Sequence, residues 1–153
     1  MGFLQRLFGT DGGERDLIDD LVEDYRAITE QAISLRDHAT RGRYPQVTEA
    51  LGRLADLHAR HAGWLSEHIG ARGGGVPPVA PAVLLVGRSQ WERAVAAMEQ
   101  ARRIRRRLVE HFSRWDPDEP ETVALLKRIE REASDALATY ESLVMRSDPH
   151  ALD

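Results

Sequence analysis

One stretch of the chain, between Val47 and Ile69, combines helical periodicity with two histidines. Seven of its side chains recur at steps of three or four residues, which places them on one stripe of an α-helix. These residues are Val47, Leu51, Leu54, His58, His61, Leu65 and Ile69. The two histidines lie one turn apart in the middle of a core-facing stripe. Because a buried imidazole without a hydrogen-bond partner costs about 1–3 kcal/mol, we expect other helices to provide partners at this level.

The rest of the chain contains three further segments of helical periodicity, separated by turn-forming residues. The four predicted helices span residues 14–40, 45–71, 89–115 and 119–146. Gly42 lies in a short turn between the first two helices, and Pro45 suits the first turn of the second. Ser89 and Glu92 form a capping box that opens the third helix, and Pro117 lies in the turn before the fourth. No segment has the pattern of a strand.

The connection between the second and third helices is the longest in the chain. Residues 72–88 contain three consecutive glycines and three prolines, and they lack helical periodicity. An extended connection of this length reaches about 55 Å at about 3.3 Å per residue, whereas the second helix is about 40 Å long at 1.5 Å per residue. The sequence therefore predicts an all-α four-helix bundle in which a long crossover joins helices 2 and 3, so that the first and fourth helices run parallel.

The apolar stripes of the other three helices each include a charged residue. Asp24 lies on the stripe of the first helix, Arg105 on that of the third and Glu130 on that of the fourth. The apolar residues of the predicted third stripe include Ile104, Leu108 and Phe112. Those of the fourth stripe include Leu126, Ala133 and Tyr140. Asp24 and His61 are almost equally far along the chain from Gly42, and Arg105 and Glu130 are almost equally far from the second short turn. We therefore expect these residues and His58 to meet near the middle of the bundle.

Two histidines and two carboxylates at one level suit Fe, Mn or Zn, because these ions accept mixed imidazole and oxygen ligands. The predicted metal ligands are Asp24, His58, His61 and Glu130. Arg105 argues against this set, since it would pair with Glu130 itself. Three hypotheses stay open: a single metal ion, a two-metal site, or a metal-free cluster held by His58–Asp24 and Arg105–Glu130 pairs. No catalytic residue is predicted.

The predicted organisation is an apolar N-terminal arm at residues 1–13, a helical bundle at 14–146 and a C-terminal tail at 147–153. We expect the arm to pack on the protein's own surface or on a partner protein, such as a sister chain, although it could also anchor to a membrane surface. Its apolar residues are Phe3, Leu4, Leu7 and Phe8. Stable membrane insertion is not expected, because no apolar run approaches about 20 residues. The N-terminus lacks the pattern of a signal peptide, so we expect a cytoplasmic protein.

Composition excludes several kinds of chemistry. The chain has no cysteine, which rules out disulfides, thiolate catalysis and cysteine-bound zinc. Its net charge of −4 argues against nucleic-acid binding, and the arginines of residues 102–107 are spread around their helix rather than gathered on one face. We therefore expect this arginine run to be a solvated surface.

Two motifs resemble the metal-binding helices of bacterioferritin-type proteins in the ferritin-like superfamily. Residues 21–28, Leu-Val-Glu-Asp-Tyr-Arg-Ala-Ile, resemble the family's Leu-x-x-Glu-x-x-Ala-Ile in its first helix. Residues 58–62, His-Ala-Arg-His-Ala, resemble Glu-x-x-His-Ala in its second helix, and residues 75–77 resemble the Gly-x-Pro that follows. The resemblance implies a ferritin-like bundle with Asp24 and His61 in ligand positions, and a homo-oligomer.

The chain also departs from that pattern. Asp24 and His58 replace two glutamates of the family. The family's last Glu-x-x-His pair corresponds to Ala133 and Ala136 in this chain. With the alignment shifted by one residue it corresponds to Glu132 and Asp135, which we predict to lie off the core face. The standard di-iron carboxylate set is thus incomplete, which argues against ferroxidase chemistry. We expect a ferritin-like protein that binds one metal ion. The alternative is a metal-free ferritin-like relic that self-associates or binds a partner or cargo. The remaining histidines, at positions 38, 68, 111 and 150, are expected at the surface.

Overall fold

The computed structural model describes residues 10–80 and 89–148, which form four α-helices and contain no strand. The helices are α1 (Thr10–Thr40), α2 (Pro45–Ala71), α3 (Gln90–Trp115) and α4 (Pro120–Ser147). The all-α fold and the four-helix bundle are confirmed. The apolar residues of the predicted arm and His150 lie outside the described residues.

Local sequence explains where the helices begin and end. Pro45 occupies the first turn of α2, and Gly73 adopts a positive φ of 82° just beyond its end. The predicted capping box opens α3, because Ser89 accepts from the backbone N–H of Glu92 and the Glu92 side chain accepts in return. Helix α1 begins at Thr10, four residues earlier than predicted, and so includes two glycines that we expected to form a break.

Pairs of interacting side chains give the direction of each helix. Residue numbers rise along α1 as they fall along α3, and the same holds for α2 with α4, so both pairs are antiparallel. The pairs between α1 and α3 are Asp20 with Arg114, Asp24 with His111 and Gln31 with Ala97. The pairs between α2 and α4 are His58 with Tyr140, His61 with Glu132 and His68 with Thr122.

Each helix packs against two of the other three. Helices α1 and α4 both pack against α2 and α3, whereas the backbones of α1 and α4 lie diagonally across the bundle and are joined by the Gln31–Tyr140 hydrogen bond. Arg105 of α3 pairs with Glu130 of α4, and Arg102 pairs with Glu141, so these two helices are antiparallel. Because α3 is antiparallel to both α1 and α4, the latter two run in the same direction. The chain between α2 and α3 passes through residues 81–88, so the crossover itself stays a prediction.

The apolar core consists of two clusters separated by a polar layer. One cluster includes Leu65 of α2, and the other includes Leu54 of the same helix. His58 and His61 lie between these leucines, and Gln31 of α1 is also buried at this boundary. Every residue of the predicted α2 stripe is buried, including both histidines. The polar layer therefore divides the bundle near its middle.

The predicted core faces of α3 and α4 need correction. Arg105 does not enter the core, because its side chain is 44% exposed where it meets Glu130 at the edge of the bundle. On α4, the predicted residues Leu126, Ala133 and Tyr140 are buried. Three residues outside the predicted stripe, Ile129, Ala136 and Leu143, are buried with them.

Among the helices of the described ranges, none has the length and apolar character needed to cross a membrane.

Candidate functional site

The four residues predicted to bind metal are distributed over three places. Their hydrogen-bond partners are His111 for Asp24, Tyr140 for His58, Glu132 for His61 and Arg105 for Glu130. The predicted Arg105–Glu130 pair is thus confirmed, whereas the predicted bond between His58 and Asp24 is absent from the described residues. Asp24 faces α3 instead of α2.

His58 belongs to a hydrogen-bonded group in the polar layer. Its Nε2 lies 2.6 Å from the hydroxyl oxygen of Tyr140, and Gln31 donates to the same oxygen at 2.9 Å and to the carbonyl of Ala97 at 2.9 Å. Because Gln31 donates to the phenol oxygen, we assign the Tyr140 hydroxyl proton to the bond with His58 Nε2, which is the acceptor at 2.6 Å. The proton of His58 then lies on Nδ1, which is buried and has no hydrogen-bond partner within residues 10–80 and 89–148.

His61 has the opposite tautomer. Its Nε2 lies 3.2 Å from Oε1 of Glu132, and a carboxylate can only accept, so Nε2 carries the proton. Nδ1 of His61 therefore has a lone pair, and in the described part of the chain it too is buried without a partner. Glu132 was predicted to lie off the core face, but its long side chain reaches His61 from the edge of α4. Arg60 and Arg128 lie 3.6 and 3.4 Å from the same carboxylate.

Burial keeps the polar layer uncharged. Burial, together with the charge of His61, lowers the pKa of His58 to about 3. Burial also lowers the pKa of His61, and the bond to Glu132 offsets this only in part. The pKa of Tyr140 is raised well above its usual value, again by burial. Both imidazoles and the phenol are therefore neutral at pH 7.

A second polar group, which we name the α1–α3 cluster, consists of Asp20, Glu23, Asp24 and His111. Nδ1 of His111 lies 2.7 Å from Oδ2 of Asp24. The other ring nitrogen, Nε2, faces Oδ1 of Asp20 at 3.6 Å and Oε2 of Glu23 at 4.0 Å. Across the described ranges, Asp20, Glu23 and His111 are the one set of three potential metal ligands whose ligand atoms all lie within 4.8 Å of one another.

Positive side chains border the α1–α3 cluster. Arg114 Nη1 donates to both carboxylate oxygens of Asp20 at 3.0 and 2.8 Å, and Trp115 Nε1 donates to Oδ2 of Asp20 at 2.9 Å. Arg107 lies 3.1 Å from Glu23, whose side chain is 53% exposed. The cluster therefore opens to solvent on the Glu23 side and is held by donors on the Asp20 side.

Two pKa values in the cluster lie above their usual values, for different reasons. Burial raises the pKa of Asp24, and the bond to His111 only partly offsets this. Burial lowers the pKa of His111. The hydrogen bond to Asp24 and the negative charges of Asp24, Asp20 and Glu23 raise it by more, so the pKa of His111 lies above its usual value. The pair of Asp24 and His111 thus retains a proton more firmly than an isolated imidazole.

Two histidines that we predicted at the surface are buried. His111 is 4% exposed. It follows Ile104 and Leu108 at steps of four and three residues, which is the spacing of a core-facing stripe, but we predicted that Phe112 would occupy this place. His38 is also 4% exposed, and burial, followed by the charge of Arg93, lowers its pKa to about 4. His68 is only partly buried and bonds the Thr122 hydroxyl.

Comparison with protein-family models gives no match for this chain, and comparison with curated proteins gives none either. The geometry of the two polar groups is therefore the basis for a functional assignment.

Proposed function

We propose that this chain is a ferritin-like helical bundle that binds one divalent transition-metal ion at Asp20, Glu23 and His111. The observation that carries the proposal is the orientation of one imidazole. Asp24 holds Nδ1 of His111 at 2.7 Å, and this leaves Nε2 directed at two carboxylates. A metal-binding histidine commonly has such a carboxylate on its second nitrogen, which fixes the tautomer and raises the basicity of the ligand atom.

The ligand types and distances suit Zn²⁺, Fe²⁺ or Mn²⁺. These ions bind imidazole nitrogen and carboxylate oxygen at about 2.0–2.2 Å, which places neighbouring ligand atoms about 3–3.5 Å apart. The separations from His111 Nε2 are 3.6 Å to Asp20 and 4.0 Å to Glu23, so a small inward movement would complete the set. Glu23 is half-exposed, and Arg107 contacts its Oε1 while Oε2 faces His111, so Oε2 is the atom that would move toward an ion.

Local charge also favours a cation. Three carboxylates, Asp20, Glu23 and Asp24, face two guanidinium groups, those of Arg107 and Arg114. With His111 neutral, the group has one net negative charge. A bound ion would replace the proton that His111 otherwise retains, so affinity should fall as the pH is lowered.

The ferritin-like part of the proposal rests on helix directions. Helices α1 and α4 lie on a diagonal of the bundle and run in the same direction, as deduced from the side-chain pairs above. These directions support a connection from the end of α2 to the start of α3 that spans the length of the bundle, as in the ferritin-like arrangement. The incomplete di-iron set argues for a single ion and against ferroxidase chemistry, and we propose no reaction.

Metal titration of chelator-treated protein tests the proposal. We expect isothermal titration calorimetry with Zn²⁺ to give one ion per chain, and elemental analysis to agree. Glu23→Gln removes a ligand at a half-exposed position and should weaken binding at least about tenfold, the size of effect known for the supporting residues of metal sites. Glu110→Gln, an exposed change on α3, is the matched control and should bind as the parent does.

A third variant distinguishes this site from the predicted central set of Asp24, His58, His61 and Glu130. If His61→Gln abolishes binding while Glu23→Gln retains it, the ion lies in the polar layer and the proposed position is wrong. If the parent protein binds no Zn²⁺, Fe²⁺ or Mn²⁺, the metal proposal fails as a whole.

The alternative function is self-association without metal, and one surface feature favours it. A groove of about 640 Å³ runs along the outside of α1 and α2, lined mainly by apolar and small side chains. Ala59→Arg would place a charge in this groove at an exposed position, and Ala138→Arg is a matched change on α4. If the groove joins two chains, only Ala59→Arg should lower the mass measured by analytical ultracentrifugation.

A further inference from the structure

The polar layer contains two buried ring nitrogens that have no hydrogen-bond partner among the described residues. They are Nδ1 of His58 and Nδ1 of His61, on side chains that are 1% and 0% exposed. Buried polar atoms without partners are rare in folded proteins, and each one calls for an explanation. Two of them on consecutive turns of α2 indicate one shared cause.

The two nitrogens have complementary hydrogen-bonding character. Nδ1 of His58 carries a proton, because the Tyr140 hydroxyl donates to the other nitrogen of that ring. Nδ1 of His61 is a lone pair, because the other nitrogen of that ring donates to Glu132. One atom needs an acceptor and its neighbour needs a donor, and a water molecule is both.

The separation of the two rings suits a bridging molecule. The ring centres of His58 and His61 are 6.1 Å apart, with the planes nearly perpendicular at 81°. Their Nε2 atoms bond Tyr140 and Glu132, which lie about two turns from each other on α4. A water molecule with hydrogen bonds of about 2.9 Å to both Nδ1 atoms is compatible with rings at this separation.

We propose that one water molecule is bound between His58 and His61, where it accepts from Nδ1 of His58 and donates to Nδ1 of His61. Buried waters occupy positions of this kind, where they satisfy polar groups that the protein leaves unpaired. A metal ion fits less well, because the assigned tautomer leaves a proton on one of the two nitrogens, and the carboxylate of Glu132 bonds the other ring nitrogen of His61. This site is independent of the α1–α3 cluster.

The water completes a hydrogen-bonded chain with a single direction. Gln31 donates to Tyr140, Tyr140 to His58, His58 to the water, the water to His61, and His61 to Glu132. Glu132 is 29% exposed, so the chain leads from a phenol in the core to a carboxylate in contact with solvent. The tautomers of the two histidines are therefore coupled, although the rings do not bond each other.

NMR of the side-chain nitrogens tests the site directly. In the full chain at neutral pH, we expect His58 as the Nδ1–H tautomer and His61 as the Nε2–H tautomer, with magnetisation transfer between water and the Nδ1 proton of His58. A crystal structure should have one water within hydrogen-bond distance of both Nδ1 atoms. The proposal is overturned by the Nε2–H tautomer at His58, or by a water-free contact between the rings.

Variants at the exposed end test the coupling without disturbing the core. Glu132→Ala removes the acceptor of His61, and we expect the ring nitrogen resonances of both histidines to shift. Asp135→Ala changes an exposed carboxylate on the same helix and should leave both unchanged. If Glu132→Ala shifts His61 alone, the two rings are not joined through a shared water and the proposal is wrong.

Discussion

Nδ1 of His111 lies 2.7 Å from Oδ2 of Asp24, across the interface between α3 and α1, although the two residues are 87 positions apart in sequence. Asp24 is 1% exposed, and burial of its carboxylate requires a partner of this kind. The carboxylate can only accept, so His111 carries a proton on Nδ1, and Nε2 offers a lone pair to a metal ion once the ring has lost its second proton. This contact places the candidate metal ligands between α1 and α3, away from the histidines of α2.

Asp24→Asn should weaken metal binding while leaving the bundle folded. The amide oxygen can still accept from His111, so the ring keeps its position, but the negative charge that strengthens the ligand nitrogen is lost. Changes of this type typically lower metal affinity about 10–100-fold. Calorimetry with Zn²⁺ provides the measurement, and Asp19→Asn, at an exposed position of α1, is the control. Equal affinities for the two variants would contradict the role given to Asp24.

Tyr140→Phe should destabilise the protein by about 1–3 kcal/mol, because it leaves His58 Nε2 without a partner in the core. The aromatic ring still fills the same volume, so the loss reports the hydroxyl alone. Urea unfolding followed by circular dichroism gives the free energy. Tyr44→Phe is the control, since Tyr44 is 52% exposed and its change should have little effect. If both variants lose a similar free energy of unfolding, the His58–Tyr140 hydrogen bond makes no specific contribution to stability.

The sequence predicted helices better than it predicted partners. The α2 stripe has seven regularly spaced residues between clear start and stop signals, and all seven are buried as expected. Hydrophobic periodicity determines which side of a helix faces inward. It does not determine which residue on another helix lies opposite, because that depends on the register and rotation of the packed helices.

Two missed residues illustrate this limit. His111 and Phe112 are neighbours on α3, and one position is a rotation of about 100°. We selected the apolar residue for the core, whereas the carboxylate of Asp24 makes burial of His111 favourable. Glu132 lies at the edge of the α4 core face, and only the length of its side chain allows it to reach His61. Neither contact has a signal in a single sequence.

Stability should fall as the pH is lowered below about 6.5, and His58 should account for part of the loss. The pKa of His58 is lowered to about 3 in the folded protein, while an unfolded histidine titrates near 6.5. Between these values the unfolded chain binds more protons, so the free energy of unfolding decreases with falling pH, by up to about 1.4 kcal/mol per pH unit for one group.

His58→Gln tests that contribution, because glutamine does not titrate. We expect unfolding free energies of the variant, measured in urea between pH 7 and pH 5, to depend less steeply on pH than those of the parent. The difference between the two slopes isolates His58 from the other histidines. Parallel curves for the two proteins would show that His58 does not titrate differently on unfolding.

Glu130→Gln should change stability by only about 0–1 kcal/mol, in contrast to the changes in the polar layer. Its partner Arg105 is 44% exposed, and solvent screens ion pairs of this kind. A double-mutant cycle with Arg105→Gln measures the coupling between the two side chains in urea. A coupling energy of several kcal/mol would mean that the pair is far better shielded from water than its exposure indicates.

Trp115 should report metal binding, provided that the ion occupies the α1–α3 cluster. Its Nε1 donates to Oδ2 of Asp20 at 2.9 Å, so a metal ion that binds this carboxylate would alter the hydrogen bond and the field around the indole. Trp64→Phe with Trp91→Phe leaves Trp115 as the single tryptophan of the chain. We expect its emission to change on adding Zn²⁺, to saturate at one equivalent, and to recover with a chelator.

Two controls make this fluorescence experiment specific. Adding Glu23→Gln to the same background should suppress the change, because a ligand is lost. A chain that retains only Trp91 should not respond, since that residue lies at the first turn of α3, far along the helix from His111. If calorimetry detects bound Zn²⁺ while the emission of Trp115 stays constant, the ion is not held by Asp20, and the α1–α3 cluster is an ion-pair network instead of a metal site.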